Sequence, residues 1–163
     1  MNTYILSQIF VIMSYLFLIN TYQVKSNKKM ILILNIVACI FSATGFFFLK
    51  AYAGCIMSLI AVVRNILFAN KKINKFDSLI IILAIIVLLS LYTYQNVFSL
   101  LPVIATILYS LSVWQDNNKL YKIFGIPIEM CWLSYHIYVK SLFGIILESI
   151  LFGSVVIGIV RKK

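Results

Sequence analysis

Thirteen of the fourteen basic residues lie in short gaps between long apolar runs, and the gaps alternate between rich and poor. In chain order they hold Lys25, Lys28 and Lys29; then Lys50; then Lys71, Lys72 and Lys75; then none; then Lys119 and Lys122; then Lys140; then Arg161, Lys162 and Lys163. A membrane crossing needs about 20 mostly apolar residues, with a range of about 17–25. The runs Thr3–Thr21, Met30–Leu49, Ala51–Ala69, Ser78–Tyr94, Val97–Trp114, Leu120–Val139 and Ser141–Val160 fit that length. Residues 77–114 are too long for one crossing, and the polar stretch Thr93-Tyr94-Gln95-Asn96 is expected to split them. Lipid leaves no water to satisfy an open backbone, so the runs must be helices or a closed barrel. The period-two pattern of a barrel strand is absent.

Lys and Arg in short loops mark the cytoplasmic side. Seven alternating crossings put eleven of the gap residues on one side and two, Lys50 and Lys140, on the other. The expectation is an all-α integral membrane protein with seven transmembrane helices, its N-terminus outside and its C-terminus inside. The remaining basic residue, Arg64, falls inside a run.

Composition agrees. Charged residues are 11% and hydrophobic residues 63%, against about 25% charged in a soluble domain. The net charge of +10 is assigned to loop anchors facing an anionic leaflet. No basic helix face is available for nucleic acid, so the lipid bilayer is the expected partner. Cys39, Cys55 and Cys131 lie within apolar runs with no metal-type spacing. They read as packing residues, and neither a metal nor another cofactor is expected. No basic segment precedes the first run and no small-residue cleavage site follows it, so that run is expected to be retained. The sequence leaves homo-oligomerisation open.

A shift of 90 residues aligns the chain with itself without a gap. Lys29, Lys50, Gly54 and Lys72 meet Lys119, Lys140, Gly144 and Lys162. Helices one to three then match helices five to seven, with helix four as an inverting linker. This is a 3+1+3 parallel repeat in one membrane domain, 1–163, divided as 1–75, 76–95 and 96–163. Such repeats place a cavity between their halves near the bilayer midplane.

An ionisable residue inside a span costs roughly 2.5–3.5 kcal/mol on insertion scales, so Arg64, Glu129 and Glu148 need reasons. By helical rise, Arg64 lies roughly 5 Å and Glu129 about 3 Å to the cytoplasmic side of their helix centres, and Glu148 about 4 Å to the outer side. Each either lines a solute path or locks helices together, and Arg64 has the further option of snorkelling to its nearby interface. Glu129, Trp132, His136 and Lys140 share one face of helix six; their repeat partners are Cys39, Ser42, Phe46 and Lys50. His136 is expected near the outer interface in a hydrated setting. Gly54, Ser58 and Asn65 share a face of helix three, and Ser58 is the repeat partner of Glu148. Gln8, Tyr15 and Tyr22 follow heptad spacing on helix one as a polar seam. Pro102 and Pro127 are read as interior prolines that kink helices five and six, as hinges or as fixed shape.

Ala61-Val62-Val63-Arg64-Asn65, Leu101-Pro102, Trp132 with Tyr135, Ser141 to Glu148 and the closing Ile157-Gly158-Ile159-Val160-Arg161 resemble the YgjV-type bacterial inner-membrane proteins over most of the chain. The resemblance implies the bacterial inner membrane and carries no activity. His136 replaces an Asn of that pattern. More distantly, the layout is similar to SWEET and PQ-loop transporters and the KDEL receptor. The chain lacks a Pro-Gln pair, and the repeat partners of Pro102 and Pro127 are Ile12 and Val37, which argues against sugar transport. The expected function is a transporter or facilitator for a small polar metabolite, with Arg64, Asn65, Glu129, Trp132, Glu148, Ser58 and His136 on its path. The alternative is a non-transporting receptor or scaffold. No nucleophile–base or metal constellation suggests an enzyme.

Overall fold

The computed structural model describes residues 2–23, 28–69, 74–115 and 118–160. Lys25, Lys71, Lys72 and residues 161–163, and the side chains of Lys28, Lys29, Lys119, Lys122 and Tyr22, lie outside the described residues, and the expected charge difference between the two sides falls largely on them. Among the described residues there are seven α-helices: α1 (Thr3–Gln23), α2 (Lys28–Phe48), α3 (Tyr52–Ala69), α4 (Lys75–Thr93), α5 (Leu100–Trp114), α6 (Asn118–Tyr138) and α7 (Leu142–Val160). α1, α3, α4 and the stretch Val97–Trp114 are long and apolar enough to cross a membrane; Leu32–Phe48 and Leu142–Gly153 are shorter apolar helical segments.

Local chemistry sets the boundaries. The long apolar stretch breaks after Thr93, as its polar turn predicts, and continues through a 3₁₀ turn at Val97–Ser99. Asn96 Oδ1 accepts the Ser99 N–H at 3.2 Å while Ser99 Oγ accepts the Asn96 N–H at 3.3 Å, a reciprocal capping box. This turn moves the start of α5. Pro102 is therefore the third residue of α5, in the first turn, where helix N–H groups lack intrahelical partners anyway. The expectation of an interior kink at Pro102 is corrected on that ground. Pro127 does lie inside α6, where it removes one helix hydrogen bond.

α2 and α6 end alike. Lys50 and Lys140 adopt left-handed backbone angles, φ 57° and 56°. Ala51 N–H reaches Phe46 O at 2.9 Å and Lys50 N–H reaches Phe47 O at 3.0 Å; Ser141 and Lys140 repeat this on His136 O and Ile137 O at 3.0 and 3.2 Å. Both are Schellman caps, with lysine where glycine is usual.

Consecutive helices pack together, and α1 also packs on α7 and α3 on α5. α4 lies against α3 and α5, burying Leu79, Ile82 and Ile86 and exposing Ile80, Ile81, Val87, Leu88 and Leu91. A continuous apolar outer face of that kind marks contact with lipid rather than water. Met57, Ile60, Ile82, Ile86 and Val103 knit α3, α4 and α5 together. Val11, Tyr15 and Leu151 join α1 to α7.

Candidate functional site

At mid-length of the helices lies a cavity of about 100 Å³, lined from α1, α2, α3, α5, α6 and α7, with no contribution from α4. Ser58, Arg64, Glu129, Trp132, His136 and Glu148 all line it. Asn65, fully buried, stands directly behind Arg64. The structure thus brings all seven expected path residues to one place.

One group of lining residues is built on Arg64, which is 2% exposed and so does not snorkel. Its guanidinium carbon lies 4.2 Å over the Tyr109 ring, a cation–π contact. Its Nε and Nη2 donate to Asn65 Oδ1 at 3.3 and 3.2 Å. Asn65 Nδ2 donates to Asn35 Oδ1 at 2.7 Å, and Asn35 Nδ2 donates to the Tyr109 hydroxyl at 3.4 Å. The circuit Arg64–Asn65–Asn35–Tyr109 closes on itself and joins α2, α3 and α5. Cys39, expected as an apolar filler, donates its thiol to Asn35 Oδ1 at 3.4 Å.

A second group of lining residues is acidic and aromatic. Glu148 Oε2 accepts a hydrogen bond from the Tyr15 hydroxyl, and that hydroxyl lies 3.4 Å from His136 Nε2. The Glu129 carboxyl is within hydrogen-bonding and charge contact of Glu148. Glu148 Oε1 and His136 Nδ1 are buried without a hydrogen-bond partner. His136 is 3% exposed, which corrects the hydrated setting expected for it. The reason is tertiary. Its ring stacks on Phe46, with centroids 5.2 Å apart and planes at 24°, and its other side lies over Gly144, where a Cβ would collide with the imidazole. Trp132 also stacks on Phe46 at 5.8 Å, and Tyr135 tilts against it at 5.5 Å.

Beyond this aromatic cluster, side chains satisfy the first turns of two helices. The Gly54 N–H of α3 donates to the Tyr135 hydroxyl at 3.0 Å. The Phe143 N–H of α7 donates to Gln8 Oε1 at 3.0 Å. These donors have no intrahelical acceptor, and each partner comes from outside the helix it serves. The polar seam on α1 is present at Gln8 and Tyr15, joined by Ser7 and Ser14, all buried.

From sequence, the lining residues Asn35 and Tyr109 do not stand out as path residues, and Tyr15 reads only as part of a seam. Neutral polar groups are cheap enough in a span to pass unnoticed, and one tyrosine among ten carries no signal until its partner is known. Asn35, a lone amide in an apolar run, was the one legible clue.

Neither a curated protein nor a solved structure matches the chain. The family model described as bacterial inner membrane protein, Imp-YgjV, matches residues 5–163, in agreement with the motifs around Arg64, Trp132 and Glu148. The multi-pass helical architecture and this match over nearly the whole chain identify it as a member of the Imp-YgjV family of bacterial inner membrane proteins.

Proposed function

We propose that the protein is a transporter or facilitator for a small polar solute, with a path between two triple-helix units, α1–α3 and α5–α7, joined by α4, and with the N-terminus outside. The observation that carries this is the polar cavity walled by all six helices of those units and by none of α4.

The 3+1+3 arrangement draws support from paired geometry. Exchanging the units turns the α1–α7 contact into the α5–α3 contact. Lys50 and Lys140, 90 residues apart, close the same left-handed cap. Phe46 lies on Gly54 as His136 lies on Gly144, and Phe46 and His136, partners under the shift, stack on each other. Two equivalent residues meet face to face only at an axis between the units.

The size of the cavity favours a small solute. Ligand pockets usually hold about 300–1,000 Å³, against about 100 Å³ here. A larger solute would require the Phe46–Trp132–Tyr135 cluster to part. That cluster also gives weight to a second reading, a non-transporting receptor whose cavity stays closed on one side. Flux into proteoliposomes separates the two. Solute uptake that falls at least tenfold in Glu129→Gln and Glu148→Gln supports the path. Saturable binding with no uptake favours the receptor, and uptake unchanged in both variants refutes the roles of the two glutamates. Reporter fusions at the two termini test the orientation.

A further inference from the structure

The cavity's charges do not balance. Among the described lining residues there is one guanidinium, Arg64, and there are two carboxyls, Glu129 and Glu148. With both carboxyls ionised the cluster carries one net negative charge in a setting where an unbalanced charge is costly. The other titratable groups facing Glu148 are Tyr15 from α1 and His136 from α6, with Cys39 from α2 and Tyr109 from α5 across the cavity. None of these is a fixed cation.

Hydrogen-bond directions point the same way. The Tyr15 hydroxyl donates its one proton to Glu148 Oε2. Its oxygen can then only accept from His136, which puts the imidazole proton on Nε2. His136 Nδ1 is left as an acceptor, and so is Glu148 Oε1; both are buried and without partners. The site therefore lacks one positive charge and at least one hydrogen-bond donor. Among the described residues no group of three or more His, Cys, Asp or Glu is placed to hold a metal ion, whereas an ammonium group or a proton supplies both the charge and the donor. The lining also includes the Tyr15 and Trp132 rings, whose π faces attract cations. An engineered cavity of 150 Å³ accepts benzene, so a cavity of about 100 Å³ takes something smaller.

We propose that this cavity binds one monovalent positive charge at the Glu148–Glu129 pair, either a small ammonium-type cation or a proton, and that the two compete. The proposal rests on the cavity being the solute site, but not on transport. When the cation enters, the proton held by the carboxyl pair leaves to solution, so charge is conserved.

The test uses the full-length protein in detergent micelles, with methylammonium chloride as the probe and tetraethylammonium chloride as a size control at equal ionic strength. Trp132 fluorescence and a pH-indicator dye are read together. Methylammonium should give a saturable change with release of about one proton per protein, and its apparent affinity should fall by about tenfold for each pH unit of acidification where the proton competes. Tetraethylammonium should give neither signal. Glu148→Gln should weaken methylammonium binding by at least tenfold. Should that variant fail to fold, the proton release of the unaltered protein still decides. No saturable response to methylammonium, or binding without proton release, overturns the proposal. Binding with proton release but no flux in proteoliposomes supports it and refutes the transport reading. Flux of a neutral solute without methylammonium binding overturns this proposal alone.

Discussion

Gly144→Ala tests the packing at the centre of the molecule. A Cβ added there would come within 2.6 Å of His136 Cε1 and 2.7 Å of His136 Cγ, so the imidazole must move. It has little room to do so. Its opposite face stacks on Phe46 at 5.2 Å, and Phe46 itself bears on Gly54, where an added Cβ would meet Phe46 Cγ at 3.0 Å and Tyr135 Cε1 at 2.6 Å. Overpacking of this kind costs about 1–3 kcal/mol, and a ring forced off its rotamer adds about 0.5–1.5 kcal/mol. Replacing a helical glycine returns about 1 kcal/mol. The expected net effect is a loss of about 1–3 kcal/mol. Gly153, on the same helix, is the control: nothing lies within 4 Å of an added Cβ, so Gly153→Ala should stabilise by about 0.5–1 kcal/mol. The assay is unfolding in mild-detergent micelles by added denaturing detergent, followed by helical circular dichroism. In a His136→Ala background the collision disappears and Gly144→Ala should become neutral or stabilising. A Gly144→Ala protein as stable as its parent, or a penalty that persists without the imidazole, would refute the argument.

Three further perturbations have defined signs under the same unfolding assay. A lysine in the left-handed region costs about 1–2 kcal/mol, so Lys50→Gly and Lys140→Gly should each stabilise by about 0.5 kcal/mol after glycine's entropy is charged, while a β-branched valine at either site should destabilise; equal effects of Gly and Val would remove the backbone explanation. Tyr15→Phe deletes the hydroxyl between Glu148 and His136 and should cost about 1–3 kcal/mol, and a loss within experimental error would show that this bond carries no weight. Arg64→Met leaves two buried carboxyls without their guanidinium and should cost about 3–5 kcal/mol. Adding Glu148→Gln to that variant should restore part of the loss, and Arg64→Lys should not, because the planar stack on Tyr109 and the fork on Asn65 need a guanidinium.

The helices were legible because a helix in lipid is counted in residues: each of the seven apolar runs became a helix, and the turn chosen at Thr93–Asn96 is where α4 ends. The ionisable residues that line the cavity were legible by their cost in a membrane. What escaped depends on contacts between distant segments. His136 looks interfacial by position, and only Phe46 and Gly144 bury it. Pro102 looks interior because the apolar run begins at Val97; a 3₁₀ turn, invisible to hydropathy, moves it to the start of α5. The left-handed caps at Lys50 and Lys140 carry no glycine to announce them. The two lysines did appear as an echo at 90 residues, but as charges rather than as backbone geometry.

In the proposed two-unit arrangement, the distribution of charge explains why the two halves differ. Residues 1–75 contain Arg64 well within a span and no acidic residue at all; residues 96–163 contain Glu129 and Glu148 well within spans and no Lys or Arg at such depth, Lys122 lying near the start of its run. A symmetric pair of identical units would place every group twice about the axis. Two copies of the first would bring two guanidiniums and no carboxyl into the centre, and two copies of the second would bring four carboxyls and no guanidinium. Either cluster is far from neutral and would be costly to bury. Only the unlike pair reaches a balance that a single monovalent cation or proton completes. The same logic applies at the proposed axis, where Phe46 faces His136 rather than another phenylalanine. On the proposed arrangement, pairing unlike units is therefore what lets the cavity hold charges of both signs and the one exchangeable positive charge proposed for it.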